Sequence, residues 1–335
     1  MEHKYTVTDL SLLTPVFTKH VVEPLFKFVP WWLPANMITL MSNFCVMIAL
    51  VVTILVTAGH FRFWLLVPFL IMAYATGDCL DGKQARRTKT SSQLGEFLDH
   101  YLDIFVNGLL LSMLILVYGI NDPLLIALFL STSYLSLSGF YFEQYHSKML
   151  FFEKIGAFEA VVILALLLSL GFIESIKQFL LKDVIAYISL FDLMLIGMAF
   201  GALFTLKRSL DRTGPSAGKG FTNFFLLTAA TAFLAAKLLQ PAVIMFVITA
   251  YCGSFIGRLH IAHLLKQREP QGDFLFPAFL LISWLLAITP GIIAAVAIVY
   301  QLFSVFSSFM AGFMPLRKYW VWFNQGEDFI DVYTT

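Results

Sequence analysis

The sequence predicts an all-α, polytopic membrane protein with about ten transmembrane helices. Hydrophobic residues make up 59% of the 335 residues and charged residues only 13%, about half of the roughly 25% that a soluble domain carries. Phenylalanine alone occurs 35 times. So few charged groups cannot coat a soluble fold, and a bilayer is the natural solvent for the excess apolar surface. The net charge of +1 gives no indication of a nucleic-acid partner.

Long apolar runs follow one another closely, and each is near the roughly 20 residues needed to cross the hydrocarbon layer. The predicted spans are 35–59, 62–86, 94–119, 122–144, 151–173, 184–206, 220–238, 241–265, 273–289 and 291–312. Pro241, Pro277 and Pro290 predict breaks, kinks or helix starts among the last four. The final two segments are therefore expected to form one hairpin or a less regular pair.

The segment before the first span has a different pattern. In residues 10–30, LSLLTPVFTKHVVEPLFKFVP, polar and charged residues interrupt the apolar ones, and three prolines are spaced along it. This pattern predicts a broken amphipathic helix at the membrane interface, with a disordered arm as the alternative. The polar start, MEHKYTVTDL, predicts no cleavable signal peptide.

Lysine and arginine concentrate in both terminal segments and in the connections after the second, fourth, sixth and eighth spans. The positive-inside rule therefore predicts that both termini and these connections are cytoplasmic. The predicted organisation is an N-terminal cytoplasmic or interfacial segment at 1–34, a six-helix catalytic core at 35–208, a cytoplasmic loop at 209–219, a four-helix membrane region at 220–312 and a cytoplasmic tail at 313–335.

Ionisable side chains break the apolar pattern in the stretch GDCLDGKQARRTKTSSQLGEFLDHYLD, residues 77–103. Four aspartates there lie at the cytoplasmic ends of two consecutive spans, where a charge is costly and usually marks a function. Asp78 and Asp81 share one face of the first helix, and Asp99 and Asp103 share one face of the next. The short connection makes the two helices antiparallel neighbours. The four carboxylates are therefore expected to converge.

Converged carboxylates repel one another strongly unless cations lie between them. Oxygen-only ligands suit Mg²⁺ or Mn²⁺, and four carboxylates can hold two ions, an arrangement that clamps a phosphoryl transfer. The small residues Gly82, Ala85 and Gly95 allow a ligand or the neighbouring helix to approach closely. Arg86 is a candidate to pair with phosphate, with a carboxylate or with a lipid headgroup.

One pattern resembles the full signature of the CDP-alcohol phosphotransferase family: Asp78-x2-Asp81-Gly82-x2-Ala85-Arg86-x8-Gly95-x3-Asp99-x3-Asp103. The stretch DGKQARRTKTSSQLGEFLDH and the lead-in PLFKFVPWWLPANMITL, 24–40, resemble the eukaryotic-type choline and ethanolamine phosphotransferase branch. The resemblance is strong over 20–110, moderate through 175 and weak beyond.

This resemblance implies an enzyme that transfers phosphocholine or phosphoethanolamine from CDP-choline or CDP-ethanolamine to a lipid hydroxyl, that of diacylglycerol, and releases CMP. It implies two divalent ions bound by the four aspartates. It also implies a nucleotide site lined by Gly82, Ala85 and Gly95, with Asn36 near it. A homodimer is implied as well, in the endoplasmic reticulum or Golgi of a eukaryote or the inner membrane of a bacterium.

Two residues are candidates for the general base. By resemblance, the fourth aspartate, Asp103, has this role, and the branch also pairs a histidine, matched by His100, with a glutamate on the fifth helix, matched by Glu159. A histidine titrates near pH 6.5 and accepts a proton at neutral pH, whereas bound cations would keep Asp103 ionised and weakly basic. We therefore predict His100 as the base, oriented by Glu159. A structural hydrogen-bonding role for His100 stays open.

Two positions depart from the branch, since Tyr101 and Leu102 stand where a glycine and a small residue are usual. These larger side chains are expected to narrow the pocket.

Within the family, a phosphatidylinositol or phosphatidylglycerophosphate type of enzyme remains an alternative. An ion-coupled membrane transporter is the alternative from another class, because intramembrane carboxylates mark such proteins too. The sequence shows no inverted repeat, and its acidic cluster lies at one membrane face, which favours the enzyme.

Overall fold

The computed structural model describes residues 6–154, 156–185, 187–214 and 218–322. The fold is all-α, as predicted. Its α-helices are α1 Thr14–Phe17, α2 Glu23–Phe26, α3 Ala35–Thr57, α4 Leu66–Arg87, α5 Gln93–Tyr118, α6 Pro123–Ser147, α7 Ala157–Gly171, α8 Glu174–Leu180, α9 Leu190–Thr213, α10 Lys219–Leu238, α11 Pro241–Leu264, α12 Leu275–Leu285 and α13 Pro290–Leu316. A π-helix, Thr18–Val22, joins α1 to α2, and a 3-10 helix, Arg317–Tyr319, follows α13.

The strands are short and form two pairs. β1 Thr6–Asp9 pairs with β2 Met149–Phe152, and β3 Asp183–Ile185 forms an antiparallel hairpin with β4 Ile188–Ser189.

Seven helices in the described ranges are long and apolar enough to cross a membrane. They are α3, α5, α6, α9, α10, α11 and α13. The pair α7 and α8, which is bent by 106°, makes an eighth if it is one broken span. An integral, polytopic membrane protein is thus confirmed, but the predicted count of about ten spans is not.

The two other predicted spans, 62–86 and 273–289, coincide with α4 and α12. Helix α4 has 22 residues, but the charged residues of the signature occupy its C-terminal half. Helix α12 has 11 residues and is about 16 Å long, roughly half the thickness of the hydrocarbon layer. The apolar run that predicted a span here continues past the end of the helix.

Helix α4 is the centre of one compact unit, formed by the described parts of 1–114, 150–172 and 313–335. It packs against α3 and α7. At Gly77 an added Cβ would lie 2.5 Å from the Cβ of Ser42 on α3, so the close approach of the two helices requires glycine at this position. The buried face of α4 includes Tyr74, Asp81 and Gln84. The helix therefore directs polar side chains into its own unit.

Helix α6 is the centre of a second compact unit, 115–149 with the described parts of 173–312. It packs against α9, α10 and α11. Near the end of α9, Arg212 donates from Nε and Nη2 to the two carboxylate oxygens of Glu143, at 2.6 and 2.8 Å. Glu143 is buried, so this bidentate pair neutralises a charge inside the unit.

Replacing Arg212 with methionine should destabilise this unit by about 2 kcal/mol, because the buried Glu143 carboxylate loses its partner. The loss is smaller than for a fully buried pair, since the Arg212 side chain is 27% exposed. Thermal unfolding in detergent measures the effect. Adding Glu143→Gln to Arg212→Met should restore part of the stability. An Arg212→Met protein that unfolds at the same temperature as the wild type would contradict the stabilising role of the pair.

The helix predicted within residues 10–30 is present, but it is continuous and not broken, because α1, the π-helix and α2 follow one another without a gap over 14–26. After it, the side chains of Phe28 and Trp32 are 81% and 56% exposed. Such aromatic side chains suit a membrane–water interface, although its placement there stays a prediction. Residues 1–5 of the N-terminal segment, 215–217 of the predicted loop and 323–335 of the predicted tail lie outside the described residues.

Candidate active site

Three of the four predicted aspartates form one cluster. Asp78 on α4 and Asp99 and Asp103 on α5 each offer a carboxylate oxygen, and these atoms lie within 4.8 Å of one another. All three side chains are half-buried. At this separation, and with an effective dielectric constant of about 20, two unit charges repel by roughly 3 kcal/mol. A bound cation would therefore stabilise the cluster strongly.

Local structure at the end of α4 brings the two helices together. Helix α4 ends at Arg87. Lys89, two residues later, has a positive φ of 56°, and the amide of Thr90 donates back to the carbonyl of Ala85. This left-handed ending closes the last turn of the helix. Helix α5 begins at Gln93, so the chain reverses within a few residues, and the two acidic faces meet as the spacing predicted.

The cluster does not include Asp81, whose carboxylate accepts a hydrogen bond from a hydroxyl on α3. Thr39 donates from Oγ1 to Oδ2 of Asp81 at 2.5 Å. The Asp81 charge still acts on Asp99 and on Asp103. The expected convergence of four carboxylates is thus observed as three clustered carboxylates with a fourth beside them.

A second hydroxyl contacts the cluster from α4. Tyr74 donates from its phenol to Oδ1 of Asp103 at 2.6 Å. Tyr74 lies four residues before Asp78, one turn earlier on the same helix face, and it is buried. This bond holds one oxygen of Asp103 in place.

Four of the predicted substrate-binding residues lie in two close pairs, Asn36 with Gly95 and Arg86 with Gly82. Asn36 is buried at the start of α3, and a Cβ added to Gly95 would lie 3.3 Å from its Oδ1, so glycine gives Asn36 room at this position. The Arg86 guanidinium lies over Gly82, where an added Cβ would be 3.4 Å from Nη1. The Arg86 charge also acts on Asp81. Ala85, which lies between Gly82 and Arg86 in the sequence, is half-buried.

His100 and Glu159 each have contacts of their own in the described structure. His100 is buried on α5, and the charge of Glu96, one turn earlier, acts on it. The Glu159 carboxylate accepts hydrogen bonds from Ser11 Oγ at 2.5 Å, from the Leu13 amide at 2.8 Å and from the Gly156 amide at 2.9 Å. Glu159 is the third residue of α7, and its bond to the amide of the N-cap residue Gly156 helps to cap the helix. These described bonds do not include His100 as a donor. Orientation of His100 by Glu159 stays a prediction.

The residues present fit a divalent cation. Within the described chain, Oδ1 of Asp99 is buried and has no hydrogen-bond donor. A buried carboxylate oxygen without a donor costs free energy, which a cation at that position would offset. The surrounding ligand atoms are all carboxylate oxygens, the ligand type that Mg²⁺ and Mn²⁺ prefer.

Sequence reasoning missed Tyr74 and Glu96 as members of this region. Each lies four residues before a predicted site residue, Asp78 and His100 respectively, so helical spacing was the signal that could have found them.

Comparison with known proteins agrees with this geometry. Residues 32–194 match the family model for CDP-alcohol phosphatidyltransferase, and this range contains every predicted site residue. Choline/ethanolaminephosphotransferase 1 of Saccharomyces cerevisiae is 27% identical over 311 residues, which cover 80% of this chain and 78% of the yeast protein. Cholinephosphotransferase 1 of Bos taurus is 29% identical over 221 residues, covering 61% of this chain and 52% of the bovine protein.

A third relative, the uncharacterized CDP-alcohol phosphatidyltransferase class-I family protein 2 of Dictyostelium discoideum, is 39% identical over 107 residues. That alignment covers 30% of this chain and 26% of the Dictyostelium protein, so this level of identity is confined to a part of each chain. The signature, the acidic cluster and the match agree, and the predicted resemblance is confirmed. Residues 32–194 are identified by this match as a CDP-alcohol phosphatidyltransferase domain.

Proposed function

We propose that this protein transfers phosphocholine or phosphoethanolamine from a CDP-alcohol to the hydroxyl of diacylglycerol, releasing CMP and forming a phospholipid. The observation that carries the proposal is the cluster of Asp78, Asp99 and Asp103 within a family signature whose spacing is complete. Relatives named choline/ethanolaminephosphotransferase and cholinephosphotransferase support the choice of headgroups.

Asp78, Asp99 and Asp103, with Asp81 beside them, would hold two divalent ions, Mg²⁺ or Mn²⁺. Bound there, such ions supply the positive charge that a diphosphate and its leaving group require. Tyr74 fixes one oxygen of Asp103 and Thr39 fixes one oxygen of Asp81. The protein thereby limits the orientations of two ligands before any ion binds.

The donor would bind next to the acidic cluster, where the small residues leave space. Gly82, Ala85 and Gly95 would line the nucleotide site with Asn36 at its edge. Arg86 is exposed and adjacent to Gly82, so its guanidinium is available to a phosphate oxygen of the donor.

For the transfer itself, we assign the general base to His100, with Asp103 as the alternative. The base removes the proton from the lipid hydroxyl, whose oxygen forms a bond to the phosphorus that carries the alcohol. The bond from that phosphorus to the CMP oxygen breaks, and CMP leaves with the electron pair. His100 is buried and directly follows Asp99 on α5, the helix that carries two of the three clustered aspartates.

The proposed orientation follows the charge distribution of the sequence, whereas the proposed organelle and homodimer follow the family resemblance. The active site and both termini would face the cytoplasm, in the endoplasmic reticulum or Golgi of a eukaryote or the inner membrane of a bacterium. The protein would act as a homodimer among membrane lipids. Access from both water and lipid suits a site at the cytoplasmic ends of α4 and α5.

Replacing Tyr74 with phenylalanine should weaken Mn²⁺ binding and lower CMP release by about tenfold each, because Asp103 loses the donor that orients it. Electron paramagnetic resonance of bound Mn²⁺ and a CMP assay measure the two effects. Tyr145→Phe is a matched control, since that phenol donates only to the Gln267 carbonyl at an exposed site. Wild-type Mn²⁺ affinity in Tyr74→Phe would contradict the orienting role.

The proposed reaction is tested with the purified protein in nanodiscs that contain diacylglycerol, with Mg²⁺ or Mn²⁺ and one CDP-alcohol per tube. The lipid product is identified by mass spectrometry and CMP is measured in the same tube. We expect equal amounts of CMP and phosphatidylcholine or phosphatidylethanolamine. If CMP is released only with a CDP-lipid and either inositol or glycerol phosphate, the protein is instead a phosphatidylinositol or phosphatidylglycerophosphate type of enzyme. No CMP with any donor, from folded protein, would favour the transporter.

A further inference from the structure

A clamp on α4 holds the chain that leads into α3. Gln84, which is fully buried, donates from Nε2 to the carbonyls of Leu33 at 2.6 Å and Pro30 at 3.1 Å. The Trp31 carbonyl is also within reach, at 3.4 Å. Residues 29–33 lie outside any helix or strand, and the Pro30 carbonyl also accepts from the Leu33 amide at 3.2 Å. Side-chain donors of this kind supplement the backbone hydrogen bonds of the segment.

Arg87, one turn after Gln84, completes the clamp. Its Nη2 donates to the Val29 carbonyl at 2.7 Å and to Oε1 of Gln84 at 2.5 Å. The guanidinium also lies 4.4 Å from the ring centroid of Phe26 and 5.6 Å from that of Trp31. The amide of Gln84 is thus used at both ends, as a donor to the 30–33 backbone and as an acceptor from Arg87.

The clamped segment determines where α3 begins. Leu33 immediately precedes Pro34, the residue that caps α3, and α3 is a rigid helix from Ala35 onward. Its first turn carries Asn36 against Gly95, and its second turn carries Thr39, the donor to Asp81. On α4, Asp81 and Gln84 are three residues apart and share a face. One face of α4 therefore makes two contacts with this part of the chain. Gln84 binds Leu33, just before α3, and Asp81 binds Thr39 within α3.

We propose that Gln84 is a positioning residue for the reaction: it sets the start of α3 so that Asn36 and Thr39 meet the donor and metal site. This inference rests on the proposed function, because it concerns the same site. Gln84 touches neither of the reacting groups and acts through α3. Within the signature stretch DGKQARR, Gln84, which lies between the fixed positions Gly82 and Ala85, thereby gains a role of its own.

Two substitutions separate the parts of the clamp. Gln84→Glu keeps an acceptor for Arg87 and a charge partner for it, but removes the donors to the Leu33 and Pro30 carbonyls. Gln84→Leu removes both functions at similar volume. Gln178→Leu is the matched control, because Gln178 is exposed on α8 and donates only to Glu174 Oε1.

Three readouts are taken on each purified protein in nanodiscs: KM and kcat for CMP release, the Mn²⁺ affinity by electron paramagnetic resonance, and hydrogen exchange of the amides of 35–39. We expect Gln84→Glu to raise both the KM for the CDP-alcohol and the Mn²⁺ dissociation constant by about tenfold, with kcat changed less than about threefold. Exchange at 35–39 should become faster, and Gln178→Leu should match the wild type in all three readouts.

Faster exchange at 35–39 with unchanged KM and Mn²⁺ affinity would overturn the proposal, because Gln84 would then be structural only. Unchanged exchange in a folded Gln84→Glu would overturn it as well. If Gln84→Leu does not fold, Gln84→Glu decides alone. If the wild-type protein binds Mn²⁺ but releases no CMP, the proposed reaction is wrong. The effect of Gln84→Glu on Mn²⁺ affinity and on hydrogen exchange then still tests the role of the clamp. If the wild-type protein neither binds Mn²⁺ nor releases CMP, both the proposed reaction and the positioning role of Gln84 are wrong.

Discussion

Asp99→Asn is expected to lower metal-dependent CMP release by about 10³-fold and to remove tight Mn²⁺ binding. The physical reason is specific to this position. Oδ1 of Asp99 is buried without a hydrogen-bond donor among the described residues, and the carboxylate lies within 4.8 Å of two others. An amide there removes one negative charge and offers an N–H to a site built from acceptors. Electrostatic stabilisation of the transition state is lost, and such losses reach this order of magnitude.

The control is the same substitution at the N-terminus of α6. Asp122 caps that helix by accepting from the Leu125 amide at 2.8 Å, and asparagine is an equally good cap. Asp122→Asn should therefore keep wild-type activity and Mn²⁺ binding. Activity of Asp99→Asn within threefold of the wild type would show that this carboxylate holds no ion that the reaction needs.

His100→Ala is expected to lower kcat by about 10²-fold while the Mn²⁺ affinity stays within threefold of the wild type. General-base catalysis by a positioned side chain contributes an effect of this size. His100 is not among the three residues that could share an ion, so its loss should spare metal binding. Asp103→Asn should instead reduce both quantities, because Asp103 belongs to the cluster.

The comparison of these two variants assigns the base. A His100→Ala protein with wild-type kcat would transfer that role to Asp103. Glu159→Gln provides a further check, since the carboxylate caps α7 through Gly156 and holds Ser11 and Leu13. A change in thermal stability alone would fit this cap, whereas a fall in kcat at unchanged stability would support the predicted orientation of His100.

Local spacing explains why much of the site could be predicted from the sequence. Helical geometry places residues three and four positions apart on one face, so Asp78, Asp99 and Asp103 were expected to converge, and they do. Contacts across long sequence separations carry no such signal. Thr39 and Asp81 are 42 residues apart, and Gln84 contacts Leu33 across 51, so the clamp depends on a tertiary path that no local pattern reveals.

The number of spans could not be predicted for a related reason. Apolar run length indicates where a chain tolerates lipid, but it does not show where a helix bends or ends. The predicted span 151–173 became a helix that starts at Ala157 and meets a 106° bend after Gly171. The predicted span 273–289 became an 11-residue helix. Breaks of this kind are set by capping and packing in the folded protein.

The most direct test of the proposed chemistry is CMP release by the chelator-treated wild-type protein as Mn²⁺ is added back. Bound Mn²⁺ is counted by electron paramagnetic resonance in the same nanodisc samples, with diacylglycerol and either CDP-choline or CDP-ethanolamine. We expect no release before Mn²⁺ is added, and release that rises as two ions bind per chain. Full release while the chelator is present, or release without bound Mn²⁺, would contradict the assignment of the aspartate cluster as a metal centre for phosphoalcohol transfer.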